Sequence, residues 1–248
     1  MDVIGKMKPI EIGNVDFSVE DLKESLSEFA ELFRQRPILD NAGGMEAPQV
    51  FGAWFMLKHL KPKCIIESGV WYGQGTWFFE QAAPDASIIC IEPSPDRIKY
   101  KSPRAQYLPH DFSVYDWSPF PHSETVCFFD DHQNAMERLS VATKWGFQHL
   151  IFEDNYPRSQ GDCVSLKTVL ENAGDEAETA RKFLDVYYEF PPVVKGDKTR
   201  WGDVWTDDEY PTKPPLLEEK STSMEDFFEG YENYTWICYA KLKESPSL

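Results

Sequence analysis

The stretch Cys64-Ile65-Ile66-Glu67-Ser68-Gly69-Val70-Trp71-Tyr72-Gly73-Gln74-Gly75-Thr76, followed by Ser87-Ile88-Ile89-Cys90-Ile91-Glu92-Pro93, constrains this chain more than any other. An apolar, β-branched run ends in a glycine turn, a helix start follows, and a second apolar run closes on a carboxylate. That is a strand–helix–strand unit, and its strand-end turn is where an open α/β sheet takes an adenosine-containing ligand. Glycines at 69, 73 and 75 do not make the Gly-x-Gly-x-x-Gly dinucleotide fingerprint, and Glu67 stands where a pyrophosphate would be repelled. A ligand without phosphates but with a cationic centre suits the turn better.

Further runs rich in β-branched and aromatic residues fall near 104–108, 125–129 and 148–153, spaced by helical or turn-like segments. Together with 64–67 and 87–92 they predict a doubly wound, mostly parallel sheet covered by helices. Upstream, Ser18-Val19-Glu20-Asp21 reads as an N-cap with a first-turn acid, and Leu22, Leu26, Phe29, Leu32 and Phe33 recur at helical spacing until Pro37. A second helix is expected over about 47–60 and another over about 134–145, ending at Gly146. Leu166, Val169 and Leu170 suggest a further helix, and the acids from Glu171 to Glu178 read as a solvated face or turn. Residues 234–240 read as an antiparallel closing strand. The expected organisation is one domain over 1–248, with a helical extension at 1–45 and a proline- and tryptophan-containing insertion or lid at 191–230.

The chain's 248 residues can bury one sizeable α/β core. A net charge of −17 disfavours nucleic acid and anionic membranes as partners. The five cysteines show no paired spacing, Met1–Met7 has no apolar core of signal-peptide length, and no apolar run reaches the ~20 residues of a membrane helix. A cytoplasmic protein without a membrane span is expected, and a homo-oligomer is compatible with that.

A second constellation lies at the ends of the fourth and fifth expected strands. Thr125–Phe129 runs into Asp130-Asp131-His132-Gln133-Asn134, and His149–Phe152 runs into Glu153-Asp154-Asn155. Adjacent parallel strands would bring four carboxylates, an imidazole and amides to one sheet edge, where like charges repel unless a cation sits between them. Oxygen ligands with room for a substrate diol suit a hard ion such as Mg²⁺. His132, beside that edge and with an ordinary pKa of ~6.5, is the best-placed general base.

The glycine turn resembles the first motif of class I S-adenosylmethionine-dependent methyltransferases, an acid-x-Gly-x-x-x-Gly-x-Gly/Ser segment. The resemblance implies a Rossmann-like fold in which Glu67, Gly69, Gly73, Gly75 and Thr76 line the methionine end of the cofactor. Glu92 would take the ribose hydroxyls, as a carboxylate can accept from both groups of a diol. Asp111 would meet the adenine amino group, with a turn-capping role as the alternative. Trp71 and Tyr72 would wall the cofactor, or serve as core packing.

The acid pairs resemble the metal-dependent O-methyltransferase branch. Similarity to catechol O-methyltransferase implies Asp130 or Asp131 with Asp154 and Asn155 as ligands. Similarity to the rhamnosyl O-methyltransferase and cephalosporin-hydroxylase group implies Asp130, Glu153 and Asp154. Catalysis would then rest on His132 and Asp130, with S-adenosylmethionine and Mg²⁺ as cofactors and a hydroxyl of a small molecule or glycan as acceptor. Arg158, Trp201 and Trp205 are candidates for a substrate lid, or the tryptophans only anchor a loop. Two rivals stand beside this reading. A nicotinamide oxidoreductase of the short-chain type needs Tyr-x-x-x-Lys, absent from Val126 through Lys182. A non-catalytic nucleoside-binding module has no use for mutually repelling acids.

Overall fold

The computed structural model describes residues 8–172, 174–218, 221–230 and 233–244. The N-terminal segment Met1–Met7, considered above for a signal peptide, lies outside them. Five parallel strands form the centre of the sheet: β2 (Cys64–Ser68), β3 (Ser87–Ile91), β4 (Ala105–Leu108), β5 (Thr125–Phe129) and β6 (His149–Phe152). With β1 (Glu11–Ile12), β7 (Leu184–Glu189) and β8 (Cys238–Leu242) the full order is β1-β7-β8-β6-β5-β2-β3-β4. β8 runs antiparallel between β6 and β7, as the closing strand of a Rossmann-like sheet.

Strand residues alternate between two apolar layers. Ile65, Val126 and Phe128 face the layer that holds α1 (Val19–Phe33), α2 (Ala47–Leu60) and α3 (Gln74–Ala82). Ile66, Cys127 and Phe129 face α4 (Ala135–Trp145), α5 (Leu166–Glu171) and α6 (Asp175–Phe183). Because both faces are covered, the central strands are apolar throughout rather than alternating. Helix α2 shows the same logic, with every residue from Ala47 to Leu57 buried. α1 opens on the expected cap, with Ser18 Oγ accepting from Asp21 N at 3.2 Å and Asp21 Oδ2 from Ser18 N at 2.7 Å. α4 ends on Gly146 at φ +79°.

Three local features differ from expectation. β7 and the short edge strand β1 were not anticipated; Asp185 is exposed in β7, and the strand follows directly on α6. The acidic stretch splits into the end of α5 and the start of α6, where Asp175, Glu176 and Glu178 occupy the first turn and Arg181 and Lys182 the last. That is the charge order a helix dipole favours. The closing strand pairs over Cys238–Leu242 rather than 234–240, because Trp236 at φ +56° interrupts extended backbone just before it. Among the described residues no helix is long and apolar enough to cross a membrane.

Chain order reverses at β2. From there β3 and β4 are added on one side and β5 and β6 on the other, so the crevice at the carboxyl ends of β2 and β5 is the switch point where such sheets hold ligands.

Candidate functional site

A cleft of about 660 Å³ opens at that switch point, lined by Gly69 and Trp71 after β2, Glu92 after β3, Asp111 after β4, and Asp130 and His132 after β5. The first glycine turn is dictated by close approach. Gly69 adopts φ +91°, and a Cβ there would run into the Asp130 backbone. Gly73, also at φ +91°, packs as tightly on the Tyr100 carbonyl, and Gly75 leaves space for the Glu67 carboxylate.

Glu92 holds this turn from the next strand. Its Oε2 accepts from Val70 N at 3.3 Å and Trp71 N at 3.1 Å, and its Oε1 from Ser94 N at 2.8 Å. Trp71 is in the left-handed region at φ +51°, unusual for a bulky residue. Besides Glu92, its indole Nε1 secures it by donating to Ala42 O at 3.2 Å. Tyr72 stacks on Trp71 at 4.8 Å and carries Lys99 Nζ 3.5 Å above its ring. Trp71 therefore walls the cleft, while Tyr72 backs it.

Glu67 lies beneath the turn, 1% exposed, rather than on the rim. Thr76 Oγ1 donates to its Oε2 at 2.5 Å, and its Oε1 has no hydrogen-bond partner among the described residues. Burial pushes its pKa up to about 8 against the Thr76 and Cys90 hydrogen bonds, so the group is mostly protonated at neutral pH. Because the folded-state pKa lies above the unfolded value, the extra stability is present below pH ~4.5 and is lost as pH rises toward 8. Glu67→Gln is expected to gain stability over wild type progressively across that window in urea melts. Parallel stability–pH curves for the two proteins would contradict a buried proton on Glu67.

Asp111 caps the turn after β4, with Oδ1 accepting from Ser113 N at 2.9 Å. Arg138 of α4 also grips it, Nη1 to Oδ1 at 3.1 Å and Nη2 to Oδ2 at 2.6 Å. Burial alone would raise the Asp111 pKa, but these hydrogen bonds outweigh it and hold the carboxyl at about 2.

On the other side of the cleft the structure separates the adjacent acids. Asp131 Oδ2 accepts from Ser68 Oγ at 2.6 Å and from Arg138 Nε at 3.0 Å, so this carboxylate is already committed. Asn155 is fully buried: its Nδ2 donates to Tyr187 OH and Trp236 O, both at 2.8 Å, and its Oδ1 accepts from Lys167 N at 2.8 Å. Those bonds pin the strand end to α5 and β7 and speak against Asp131 and Asn155 as ligands. Asp130, His132 and Asp154 instead bring one donor atom each within 4.8 Å of one another. Asp154 is 7% exposed, and its Oδ1 lacks a hydrogen-bond partner among the described residues. Burial and then Glu153, Asp154 and Asp131 push the Asp130 pKa well up. A buried carboxylate oxygen without a hydrogen bond, among repelling acids and 3.6 Å from His132 Nδ1, fits a cation.

His132 is the second strained residue of the cleft, at φ +53°, with its backbone N donating to Asp154 Oδ2 at 3.1 Å. Its Nδ1 lies 2.9 Å from Asp162 Oδ1, a partner with no local sequence signal. Burial would lower the imidazole pKa, but Asp154 and Asp162 outweigh this and raise it.

Glu153 is 4% exposed and, like Asp130 and His132, lines a smaller cavity of about 90 Å³ that also meets Glu46, Gln49 and Arg200. Burial and Asp154 push its pKa up to about 8. Arg200, from the insertion, donates to Tyr156 OH at 3.0 Å and reaches this cavity. Arg158 does not line it; its backbone N lies 3.3 Å from Glu171 Oε2. Trp205 is 6% exposed in a cluster with Tyr234 and Trp236, a loop anchor, whereas Trp201 is 36% exposed, edge-on to Tyr156.

The chain matches no protein-family model and no curated protein. Solved structures similar to it include an S-adenosylhomocysteine-bound methyltransferase, PaMTH1 of Podospora anserina, at 19% identity over 53% of this chain and 62% of that one, with a TM-score of 0.37. The O-methyltransferase TomG of Streptomyces achromogenes, in complex with S-adenosylmethionine, is 15% identical over 64% and 74%, with a TM-score of 0.37. CmcI in a Mg–S-adenosylmethionine form is 17% identical over 60% and 71%, with a TM-score of 0.36. The match thus spans under two thirds of the length of PaMTH1, and likeness this distant carries no inference about chemistry.

Proposed function

We propose that the chain is an S-adenosylmethionine-dependent O-methyltransferase that works with a divalent cation, Mg²⁺ by the chemistry of its donors, on a hydroxyl of a small molecule or glycan. One observation carries this reading. A nucleoside-sized cleft with Glu92 and Asp111 on one wall shares Asp130 and His132 with a second, polar cavity, and the oxygen-rich Asp130–His132–Asp154 group lies at that junction.

Glu92 keeps free lone pairs for a ribose diol beyond the backbone donors it already accepts. Asp130 and Asp154, with Glu153, would hold the ion, whose contribution is to lower the pKa of an acceptor hydroxyl. With Nδ1–H donating to Asp162, the His132 Nε2 is the ring atom left to take the acceptor proton. When bound, the sulfonium donor would supply the methyl group, the acceptor oxygen gaining the bond to carbon that sulfur gives up, while His132 would keep the acceptor proton. The protein's part in this displacement is alignment of donor and acceptor. Carboxylates, amides and a guanidinium around the smaller cavity suit a polyhydroxylated acceptor better than a flat apolar one. Five free thiols, four of them buried, support placing the chain in the cytoplasm.

Titration calorimetry with S-adenosylhomocysteine and with NAD, each with and without Mg²⁺, tests the proposal. Homocysteine-nucleoside binding, no NAD binding and a separate heat for Mg²⁺ are expected. NAD binding alone would overturn the methyltransferase reading, and nucleoside binding with no heat for Mg²⁺ itself would leave only the binding module.

A further inference from the structure

We propose that Arg138 is a positioning residue for the nucleoside cleft: its guanidinium ties the loops after β4, β5 and, through Asp131, the end of β2 into one rigid floor. The inference rests on the methyltransferase reading. Arg138 projects from α4 and is 2% exposed, flanked by the rings of Phe112 at 5.9 Å and Phe129 at 5.7 Å. Two of its nitrogens take both oxygens of Asp111, at 3.1 and 2.6 Å. Its Nε and Nη2 take Asp131 Oδ2, at 3.0 and 2.8 Å. That same oxygen receives Ser68 Oγ at 2.6 Å, on the last residue of β2. Ser68, Asp111 and Asp131 all line the cleft.

A buried ion network adds little net stability over apolar packing of the same volume, so its worth here is geometric. The fork geometry matters as much as the charge. A guanidinium serves two carboxylates in one plane, which a lysine ammonium, a single point charge on a flexible stem, cannot do.

The test compares wild type, Arg138→Lys, Asp131→Asn and the double variant, each shown folded by circular dichroism. Two probes are used: S-adenosylhomocysteine by calorimetry and Mn²⁺ alone by paramagnetic relaxation. Expected in Arg138→Lys is a more than ~10-fold loss of nucleoside affinity with Mn²⁺ affinity nearly retained, a split that general loosening would not give. Asp131→Asn, which leaves the α4 core intact, should act in the same direction and carries the test if Arg138→Lys does not fold. The double variant should be no worse than the weaker single one, because both cut the same tie. Folded Arg138→Lys with affinity within about twofold of wild type, or additive losses, would overturn the role. Wild-type protein that fails to bind S-adenosylhomocysteine would overturn the underlying reading instead.

Discussion

Asp154→Asn is expected to abolish saturable Mg²⁺ binding and to cut methyl transfer at least about a hundredfold, since even partners one shell out from a metal are worth 10–100-fold. S-adenosylhomocysteine affinity should stay close to wild type, because Asp154 is not among the residues lining the larger cleft. The amide still offers an oxygen to the His132 backbone N, so the strained φ of His132 keeps its support. Removing one charge from a group in which Asp130 and Glu153 already have raised pKa values should also stabilise the metal-free protein. A gain of ~1 kcal/mol would appear as a rise of 2–4 °C in thermal midpoint for a chain of this length. Calorimetry with Mg²⁺ and melting curves with and without it provide the readout. A variant that still gains stability from Mg²⁺ as wild type does would show that Asp154 is not a ligand.

The central strands were legible because burial on both faces forces continuous β-branched and aromatic runs, as in Cys64–Ser68 and Thr125–Phe129. The glycine turn was legible for a steric reason, since Gly69 and Gly73 sit where any Cβ would meet backbone. The order of carboxylates along the chain placed Glu92 and Asp130 at one sheet edge, because parallel strands end on the same side. What could not be read was which atoms each acid spends on its neighbours. Glu67 occupies the expected position in sequence, yet its carboxyl turns under the turn toward Thr76, where burial raises its pKa. Asp130 and Asp131 are equivalent by spacing, and Ser68 together with Arg138, seven residues on and on a helix face, distinguishes them. Arg200 and Asp162 reach the site from loops with no periodicity to announce them. Sequence spacing therefore located the strand-end side chains, whereas contacts made across the fold decide which of them are already spent on neighbours.

Glu92→Gln is expected to weaken S-adenosylhomocysteine binding about a hundredfold, as much as Glu92→Ala, although it conserves the side chain's shape. Both carboxylate oxygens accept backbone N–H groups, Val70 and Trp71 on one and Ser94 on the other. An amide has a single acceptor atom, so either orientation sets an NH₂ against at least one N–H donor. The loss has two parts. One is the ribose contact, in which a charged acceptor is replaced by a neutral one or by none. The other is the turn itself, because Trp71 at φ +51° depends on the Glu92 bond to its own N–H and would relax out of the cleft wall without it. Bonds to a charged group contribute ~1.5–3 kcal/mol, which spans a hundredfold change in affinity. Mg²⁺ binding should persist in both variants, because the hydrogen bonds of Glu92 run to Val70, Trp71 and Ser94 and not to Asp130, Glu153 or Asp154. Calorimetric titration of each variant with the nucleoside and with Mg²⁺ separates the two effects. Unchanged nucleoside affinity in folded Glu92→Ala would place the ribose contact elsewhere, and Glu92→Gln binding like wild type would show that the backbone donors of the glycine turn do not need the carboxylate.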